Sequence, residues 1–330
     1  MKVAYITALL STLVLTACSS LPPTTSMAPQ PNSMWQHLEK FQQIAQENQN
    51  NRAVGSEGGK MSGGYIRQYA HQLGLTAQGM IFVNRDETVG QNILIEIEGK
   101  NKDQAIILGA HYDSVTMGPG INDNASGVAV LLSVMEHYAK QQQKPPFNLY
   151  FAFWDSEEVG IAGSQHFVSQ LTDQQLKGIR AYINVDMVGT QNPTALLLDA
   201  DKSSVDEMQK MLQQNGMAEA DYLPLLQGLR RIPGHAGDAY LQQVLTQFFQ
   251  EKKVPIREDI STVTASDTAP FLGLVPVASL VLFNERMKGD ILEFAPCYHQ
   301  ACNDITHIDP QSLALTRSAI FKLIQAIEQP

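Results

Sequence analysis

Ionisable side chains follow three apolar segments of this sequence. In chain order they are His111 and Asp113, then Glu157 and Glu158, and finally Asp186. Asp123 lies in a loop after the first segment, and His299 lies between Cys297 and Cys302. Histidine nitrogens and carboxylate oxygens together are ligands that zinc and similar metals accept. The pattern therefore predicts a metal site, provided that the fold brings these residues together.

Apolar periodicity predicts the elements that must position these side chains. Alternation or continuous apolar runs predict strands, at 91–98, 105–110, 147–154, 181–185, 195–198 and 277–283. Helical spacing predicts helices at 33–48, 58–73, 125–139, 238–251 and 310–327. Strands that alternate with helices along the chain predict an α/β fold with a mostly parallel central sheet flanked by helices on both faces. Ligands bind at the carboxyl ends of strands in such sheets, and the candidate residues stand there. Segment 203–234 shows no readable pattern.

Composition excludes several classes of protein. The chain has 330 residues, a formal net charge of -10, 44% apolar and 17% charged residues. This charge argues against nucleic acid as a partner, because nucleic-acid binders carry a basic surface. Ordinary apolar content with low charge excludes a disordered chain. Three cysteines are too few for a disulfide scaffold.

The N-terminal residues are typical of an exported lipoprotein. Residues 1–17 consist of Met1, Lys2 and an apolar run, the layout of a signal peptide. The run ends in Leu15-Thr16-Ala17-Cys18, which resembles the lipobox of bacterial lipoproteins and implies a lipid on Cys18. Residues 18–32 form a Pro/Ser/Thr-rich tether, and 33–330 form one domain. In that resemblance, Ser19 after the cysteine implies sorting to the outer membrane, facing the periplasm or the cell surface. An ordinary signal peptide with an incidental Cys18 is the alternative.

Three stretches of the sequence resemble motifs of the co-catalytic di-zinc aminopeptidases of the bacterial leucyl aminopeptidase type. They are Gly-Ala-His-Tyr-Asp-Ser at 109–114, Asn-Asp-Asn-Ala-Ser-Gly at 122–127 and Cys-Tyr-His-Gln-Ala-Cys at 297–302. The resemblance extends from about Gln91 to His307. It implies a three-layer sandwich and two zinc ions, which Co²⁺ or Mn²⁺ could replace. The implied metal ligands are His111, Asp123, Glu158, Asp186 and His299, with Asp123 bridging.

The resemblance also implies an activity and three further roles. The activity is hydrolysis of the N-terminal residue from peptides with a free N-terminus, through water held between the zinc ions. Glu157 would be the general base, and Asp113 would orient His111. Tyr298 would help to stabilise the oxyanion, although packing alone explains it equally well.

The cysteines favour His299 over His307 as the fifth ligand. Cys297 and Cys302 are five residues apart in a chain expected to be exported, where a disulfide could close a small loop that fixes His299. His307 falls outside that loop, and we expect it to be a surface residue just before a helix.

Other interpretations of these residues exist. Taken alone, Asp123 fits a helix N-cap and Glu157–Glu158 a solvated turn. A single-zinc glutaminyl cyclase is similar in fold and ligands, and a lipid-anchored metal- or solute-binding protein is the non-enzymatic alternative.

Two residues depart from the aminopeptidase pattern. Thr268 replaces an aromatic residue or histidine and leaves the side-chain preference open, while Asn303 replaces a common aspartate.

Overall fold

The computed structural model describes residues 33–288 and 291–329. The predicted signal peptide, the lipid on Cys18 and the tether at 18–32 lie outside the described residues. Within the described part, no helix is long and apolar enough to span a bilayer.

An eight-stranded mixed sheet forms the centre of the domain, in the order β1-β2-β4-β3-β5-β8-β6-β7. Its four middle strands, β4, β3, β5 and β8, run parallel, whereas β1 and β2 pair antiparallel at one edge and β6 pairs antiparallel with β8. A separate hairpin consists of β9 and β10. The strands are β1 Ala77–Val83, β2 Val89–Ile97, β3 Asn101–His111, β4 Phe147–Trp154, β5 Ile179–Asp186, β6 Thr194–Leu197, β7 Ile256–Glu258, β8 Val277–Phe283, β9 Arg286–Lys288 and β10 Ile291–Glu293.

Helices cover both faces of this sheet, so the predicted sandwich architecture is confirmed. One face packs against α1, α2, α3, α8 and α10, and the other against α4, α6, α7 and α9. The helices are α1 Ser33–Glu47, α2 Glu57–Gln72, α3 Ser126–Ala139, α4 Ala162–Ser169, α5 Asp173–Gly178, α6 Ser203–Gln214, α7 Glu219–Arg231, α8 Asp238–Glu251, α9 Ile260–Val263 and α10 Pro310–Glu328.

The apolar run of strand β3 requires that this strand lie in the middle of the sheet. Ile106 and Leu108 belong to the core under one face, and Ile107 belongs to the core under the other. Successive side chains of a strand point to opposite faces, so an uninterrupted apolar run needs apolar partners on both sides. The polar residues that follow such a strand are then carried to the sheet edge.

The structure adds elements for which the sequence gave weak signals. The edge strand β1 exposes Ile81 and Val83, and its pattern was not recognised. Segment 203–234, for which the sequence pattern predicts no element, contains α6 and α7. These two helices bury only Val205, Tyr222, Leu226 and Leu229. Because so few positions face the core, the apolar period of these helices is faint.

A fully buried arginine fastens the chain between β3 and α3. Arg52 donates from its guanidinium to the carbonyl oxygens of Tyr112, Pro119 (2.8 Å) and Gly120 (2.6 Å), and its backbone N–H donates to Ser114 Oγ (2.9 Å). Burial lowers the pKa of Arg52 to about 10, so the group remains a cation at neutral pH. The loop after β3 is thus shaped by a residue from the α1–α2 connection.

Replacement of Arg52 by methionine should lower the free energy of unfolding by about 3 kcal/mol, because three buried carbonyl groups lose their donors. Urea unfolding followed by circular dichroism measures this change. The exposed Arg85→Met variant is the control and should stay within about 0.5 kcal/mol of the unaltered protein. Equal stability of the Arg52 and Arg85 variants would refute the role assigned to the buried guanidinium.

Candidate metal centre

The carboxyl ends of three neighbouring parallel strands supply the first group of site residues. His111 is the last residue of β3 and Asp186 the last residue of β5, and Glu157 and Glu158 follow shortly after the end of β4. Because β4, β3 and β5 are adjacent, these side chains meet at one edge. The predicted convergence of strand ends is therefore present in the structure.

Asp123 reaches the same place from a buried turn at Ile121–Ala125, with a cis peptide bond to Asn124. The side chain of Asn124 donates to Val185 O (2.9 Å) and accepts from the backbone N–H groups of Gly127 and Met187. These bonds fix the turn against the end of β5. Helix α3 starts after this turn without a side-chain cap, so Asp123 does not act as an N-cap.

Asp123 lies between the two histidines and divides the candidate ligands into two groups. His111 Nε2 is 3.3 Å from Asp123 Oδ1 and 3.4 Å from Asp186 Oδ1. On the other side, His299 Nε2 is 3.2 Å from both Asp123 Oδ2 and Glu158 Oε2. Tetrahedral zinc with bonds of about 2.0–2.1 Å places its ligand atoms about 3.3 Å apart. The histidine nitrogens thus lie at zinc-ligand spacing from the carboxylate oxygens beside them, and His111, Asp123 and Glu158 each place one ligand atom within 4.8 Å of the other two, a group that could hold a metal ion.

The electrostatics of the cluster favour a cation. Although burial alone lowers a histidine pKa, Asp123 and Glu158 raise the pKa of His299 to about 10, and Asp186 and Glu157 raise that of His111 well above its usual value. Burial and the charge of Asp123 raise the pKa of Glu158 to about 7. The atoms Glu158 Oε1 and Asp186 Oδ1 are buried and accept no hydrogen bond. Carboxylate oxygens without a hydrogen-bond partner can donate electron pairs to a metal ion, which would compensate their burial.

Asp113 lies beside the first histidine and holds the chain that carries the two glutamates. Its Oδ1 lies 3.4 Å from His111 Nδ1, and its two oxygens accept from the backbone N–H groups of Glu157 (3.2 Å) and Glu158 (3.3 Å). Asp113 is fully buried. This carboxylate can therefore orient the imidazole and the Glu157–Glu158 turn together, which is more than the sequence suggested.

A disulfide joins Cys297 to Cys302, with a Cα–Cα distance of 5.4 Å, and closes the loop that carries His299. Both Cys297 and His299 have positive φ angles (63° and 53°). Tyr298 stacks on the His299 ring with centroids 3.9 Å apart. The competing residue His307 instead lies near the disulfide, with Nε2 3.5 Å from Cys297 Sγ.

Two contacts that support the ligands were not recognised in the sequence. Asn303, which stands where aspartate is common in the aminopeptidase pattern, accepts from the Asn122 backbone N–H through Oδ1 (2.7 Å) and from the Ile121 N–H through its carbonyl (2.9 Å). It thereby links the disulfide loop to the Asp123 turn. Ser266 donates to Asp186 Oδ2 (2.7 Å) and accepts from Asn184 Nδ2 (2.9 Å).

Asp267 places another carboxyl group in the buried surroundings of the site. It accepts from Ser164 Oγ (2.5 Å), while its Oδ2 is buried without a partner. Burial raises the pKa of Asp267 to about 7 despite the opposing effect of His111. The neighbouring Thr268 is also fully buried.

The sequence model of Peptidase family M28 matches residues 92–324. Leupeptin-inactivating enzyme 1 of Streptomyces exfoliatus is 26% identical over 315 residues, which are 92% of this chain and 62% of that protein. An aminopeptidase of Pseudomonas aeruginosa is 30% identical over 250 residues, 73% of this chain and 42% of that protein. The chain thus spans less than two thirds of the length of these curated relatives.

Solved structures show the same fold at low sequence identity. A zinc aminopeptidase from Bacillus subtilis aligns with a TM-score of 0.52 and 22% identity, over 72% of this chain and 50% of that one. A glutaminyl cyclase from Porphyromonas gingivalis aligns with a TM-score of 0.64 and 17% identity, over 89% of this chain and 96% of that one. These likenesses establish the architecture.

The Asp113→Asn variant should bind zinc about 10–100-fold more weakly, because an amide orients His111 less well and carries no charge. Competition with a chromophoric chelator measures this affinity. Asp238→Asn is the matched control: Asp238 is also buried, but it accepts from the backbone N–H groups of His235 and Val277 away from the site. If both variants bind zinc as tightly as the unaltered chain, Asp113 does not position the ligands.

Proposed function

The chain belongs to Peptidase family M28, and we propose that it is a zinc-dependent aminopeptidase that removes the N-terminal residue from peptides. One observation carries the proposal. Asp123 stands between His111 and His299, and each side of it has ligand atoms 3.2–3.4 Å apart. This arrangement suits two metal ions that share one carboxylate.

The proposed ligands divide into two sets. One set is His111, Asp123 and Asp186, and the other is Asp123, Glu158 and His299. Zinc is proposed because the donors are imidazole nitrogens and carboxylate oxygens, a set that also accepts Co²⁺ or Mn²⁺. When bound, the metal ions supply Lewis acidity for the scissile carbonyl and lower the pKa of water.

Glu157 is the proposed general base. It belongs to neither ligand set, yet its backbone N–H is held by Asp113 beside the ligand Glu158. Burial raises the pKa of Glu157 well above its usual value, and Asp267 and Asp186 add to this rise. A carboxylate so placed can take a proton from the attacking water and pass it to the leaving amine. Tyr298, next to His299, is proposed to assist at the oxyanion.

The charge balance of the proposed site explains a preference for a free N-terminus. Two bound Zn²⁺ ions would contribute +4 and the three carboxylate ligands -3, so Glu157 and Asp267, when ionised, would leave one net negative charge. A substrate's α-ammonium group is attracted to such a site, whereas an N-acetylated terminus carries no charge to be attracted.

A panel of aminoacyl substrates tests the proposal. Peptides with free N-terminal Leu or Arg should release amino acids in the presence of zinc, and chelation should abolish this release. N-acetylated counterparts should not be cleaved. Cleavage of the acetylated peptides would overturn the exopeptidase assignment. Cyclisation of N-terminal Gln without release of Leu would identify a glutaminyl cyclase instead.

A substitution of Glu157 tests its role as the general base in the same assay. Glu157→Gln should retain zinc but lose about 100-fold or more of its turnover, because the amide cannot accept the proton. Glu158→Gln, one residue away, should instead lose zinc affinity. Normal activity of Glu157→Gln would exclude this residue as the base, and zinc binding without hydrolysis of any substrate would favour a non-enzymatic binding protein.

We propose further that a lipid on Cys18 holds the mature protein at the outer membrane, where it faces the periplasm or the cell surface. The support is the sequence Leu15-Thr16-Ala17-Cys18 and the Pro/Ser/Thr-rich tether behind it. Labelled palmitate should enter the expressed protein, and Cys18→Ser should abolish this labelling. Equal labelling of the two forms would refute the anchor.

A further inference from the structure

A second cavity lies beside the metal centre and contains none of its proposed ligands. It has a volume of about 260 Å³ and is enclosed by α2, β1, β2 and the chain after β3 and β4. One water molecule takes about 30 Å³ of the liquid, so this volume admits a ligand of several heavy atoms. Its polar lining includes Arg67, Gln91, Tyr112 and Asp155.

Glycines on α2 leave room for this cavity. Gly59, Gly63 and Arg67 are four residues apart and therefore share one face of the helix. A Cβ atom at Gly63 would lie 3.3 Å from the Tyr112 hydroxyl and 3.5 Å from Arg67 Nη1. The hydroxyl and the guanidinium therefore face the same small space, which a larger side chain at Gly63 would fill.

No acceptor for the guanidinium of Arg67 lies in the described part of the protein. Within the described residues its side chain forms no ion pair or hydrogen bond, and its Nη2 atom is buried without a partner. A guanidinium presents several N–H groups in a fixed fork that matches a carboxylate. This end of the cavity therefore suits a carboxylate ligand.

Asp155 is a buried acid in the lining of the same cavity. Asp155 accepts from the backbone N–H groups of Gln91 (2.8 Å) and Ser156 (3.0 Å), and no cation pairs with it in the described part of the chain. The Gln91 side chain and Arg67 Nη2 both lie against Gly79, so Gln91 contacts the arginine end through its side chain and Asp155 through its backbone N–H. Burial and the charge of Asp113 raise the pKa of Asp155 to about 7, so a positive group beside it would stabilise its ionised form.

We propose that this cavity binds one free α-amino acid with an aliphatic side chain. Arg67 takes its carboxylate, Asp155 takes its α-ammonium group, and the exposed side chains of Ile81 and Val89 at the rim take its aliphatic part. The choice of ligand rests on the proposed function, since an aminopeptidase releases such molecules. A zwitterion fits because Arg67 and Asp155 line the same cavity without pairing with each other, while the second cation of the lining, Lys60, pairs with Glu57.

Binding at this cavity would act on the metal centre through two short stretches of chain. Tyr112 lies between His111 and Asp113, and its hydroxyl donates to Gln91 O (2.8 Å). Asp155 precedes Ser156 and Glu157. A bound amino acid would therefore contact residues that adjoin a proposed ligand and the proposed base, so its effect on hydrolysis should include a non-competitive component.

Calorimetric titration of L-leucine into the zinc-loaded full chain tests the inference. The unaltered protein should show a leucine site whose affinity falls about tenfold or more in Arg67→Leu, because a charged hydrogen-bonded pair is lost. Arg231→Leu, which removes an exposed arginine on α7, should retain that site. Leucinamide and 4-methylpentanoate each lack one charge and should bind to it at least about tenfold more weakly.

Gly63→Ala provides a second variant that leaves every charge in place. Its added methyl group enters the cavity beside Tyr112, so leucine binding should weaken even if Arg67→Leu fails to fold. Leucine titrations that are identical in the unaltered chain and in Gly63→Ala and every soluble Arg67 variant would overturn the inference.

Peptide hydrolysis measured in parallel separates this inference from the proposed function. Cleavage with purely competitive inhibition by L-leucine, unchanged in Arg67→Leu and Gly63→Ala, would refute the cavity and leave the peptidase intact. Leucine binding that depends on Arg67, in a protein that cleaves no peptide, would support the cavity and refute the peptidase.

Discussion

The repulsion among carboxylates buried at one sheet edge is the constraint on which the rest of the structure depends. Asp113, Asp123 and Asp267 are almost inaccessible to solvent, and Glu157 and Glu158 stand among them. Buried charges of one sign are costly unless donors or cations compensate them. Part of this compensation comes from the buried guanidinium of Arg52 and from the backbone N–H groups that donate to Asp113. The hydroxyl groups of Ser266 and Ser164, which donate to Asp186 and Asp267, add to it. Bound metal ions would supply the rest of the positive charge that these carboxylates need.

Much of the site could be predicted because its residues sit at places that the sequence marks clearly. Long apolar runs predict the central strands, and parallel strands bring the residues after them to the same edge. His111 and Asp186 required no more information than this. Asp123 and His299 came from loops, where periodicity carries no signal, and were recognised through the short motifs around them. The structure places both within reach of the strand-end residues.

The parts that could not be predicted depend on contacts between distant segments. Arg52 lies in a short connection without a motif, and its role arises only because carbonyl groups some 60 positions later turn towards it. Asn303 looked inconsequential because its contact with the Asp123 turn spans 181 residues. Helices α6 and α7 escaped detection for another reason: a helix that buries few residues leaves almost no apolar period to read.

The two halves of the ligand set are anchored differently, and this has a kinetic consequence. His111 and Asp186 belong to strands and are shielded, with 1% and 12% of their side chains exposed, whereas His299 stands on a disulfide-closed loop with 36% exposed. A ligand held by the sheet is shielded by the core, whereas a loop ligand next to solvent is within reach of water. With two ions bound as proposed, we therefore expect asymmetric exchange, in which the ion beside His299 enters and leaves first and the ion beside His111 stays longest.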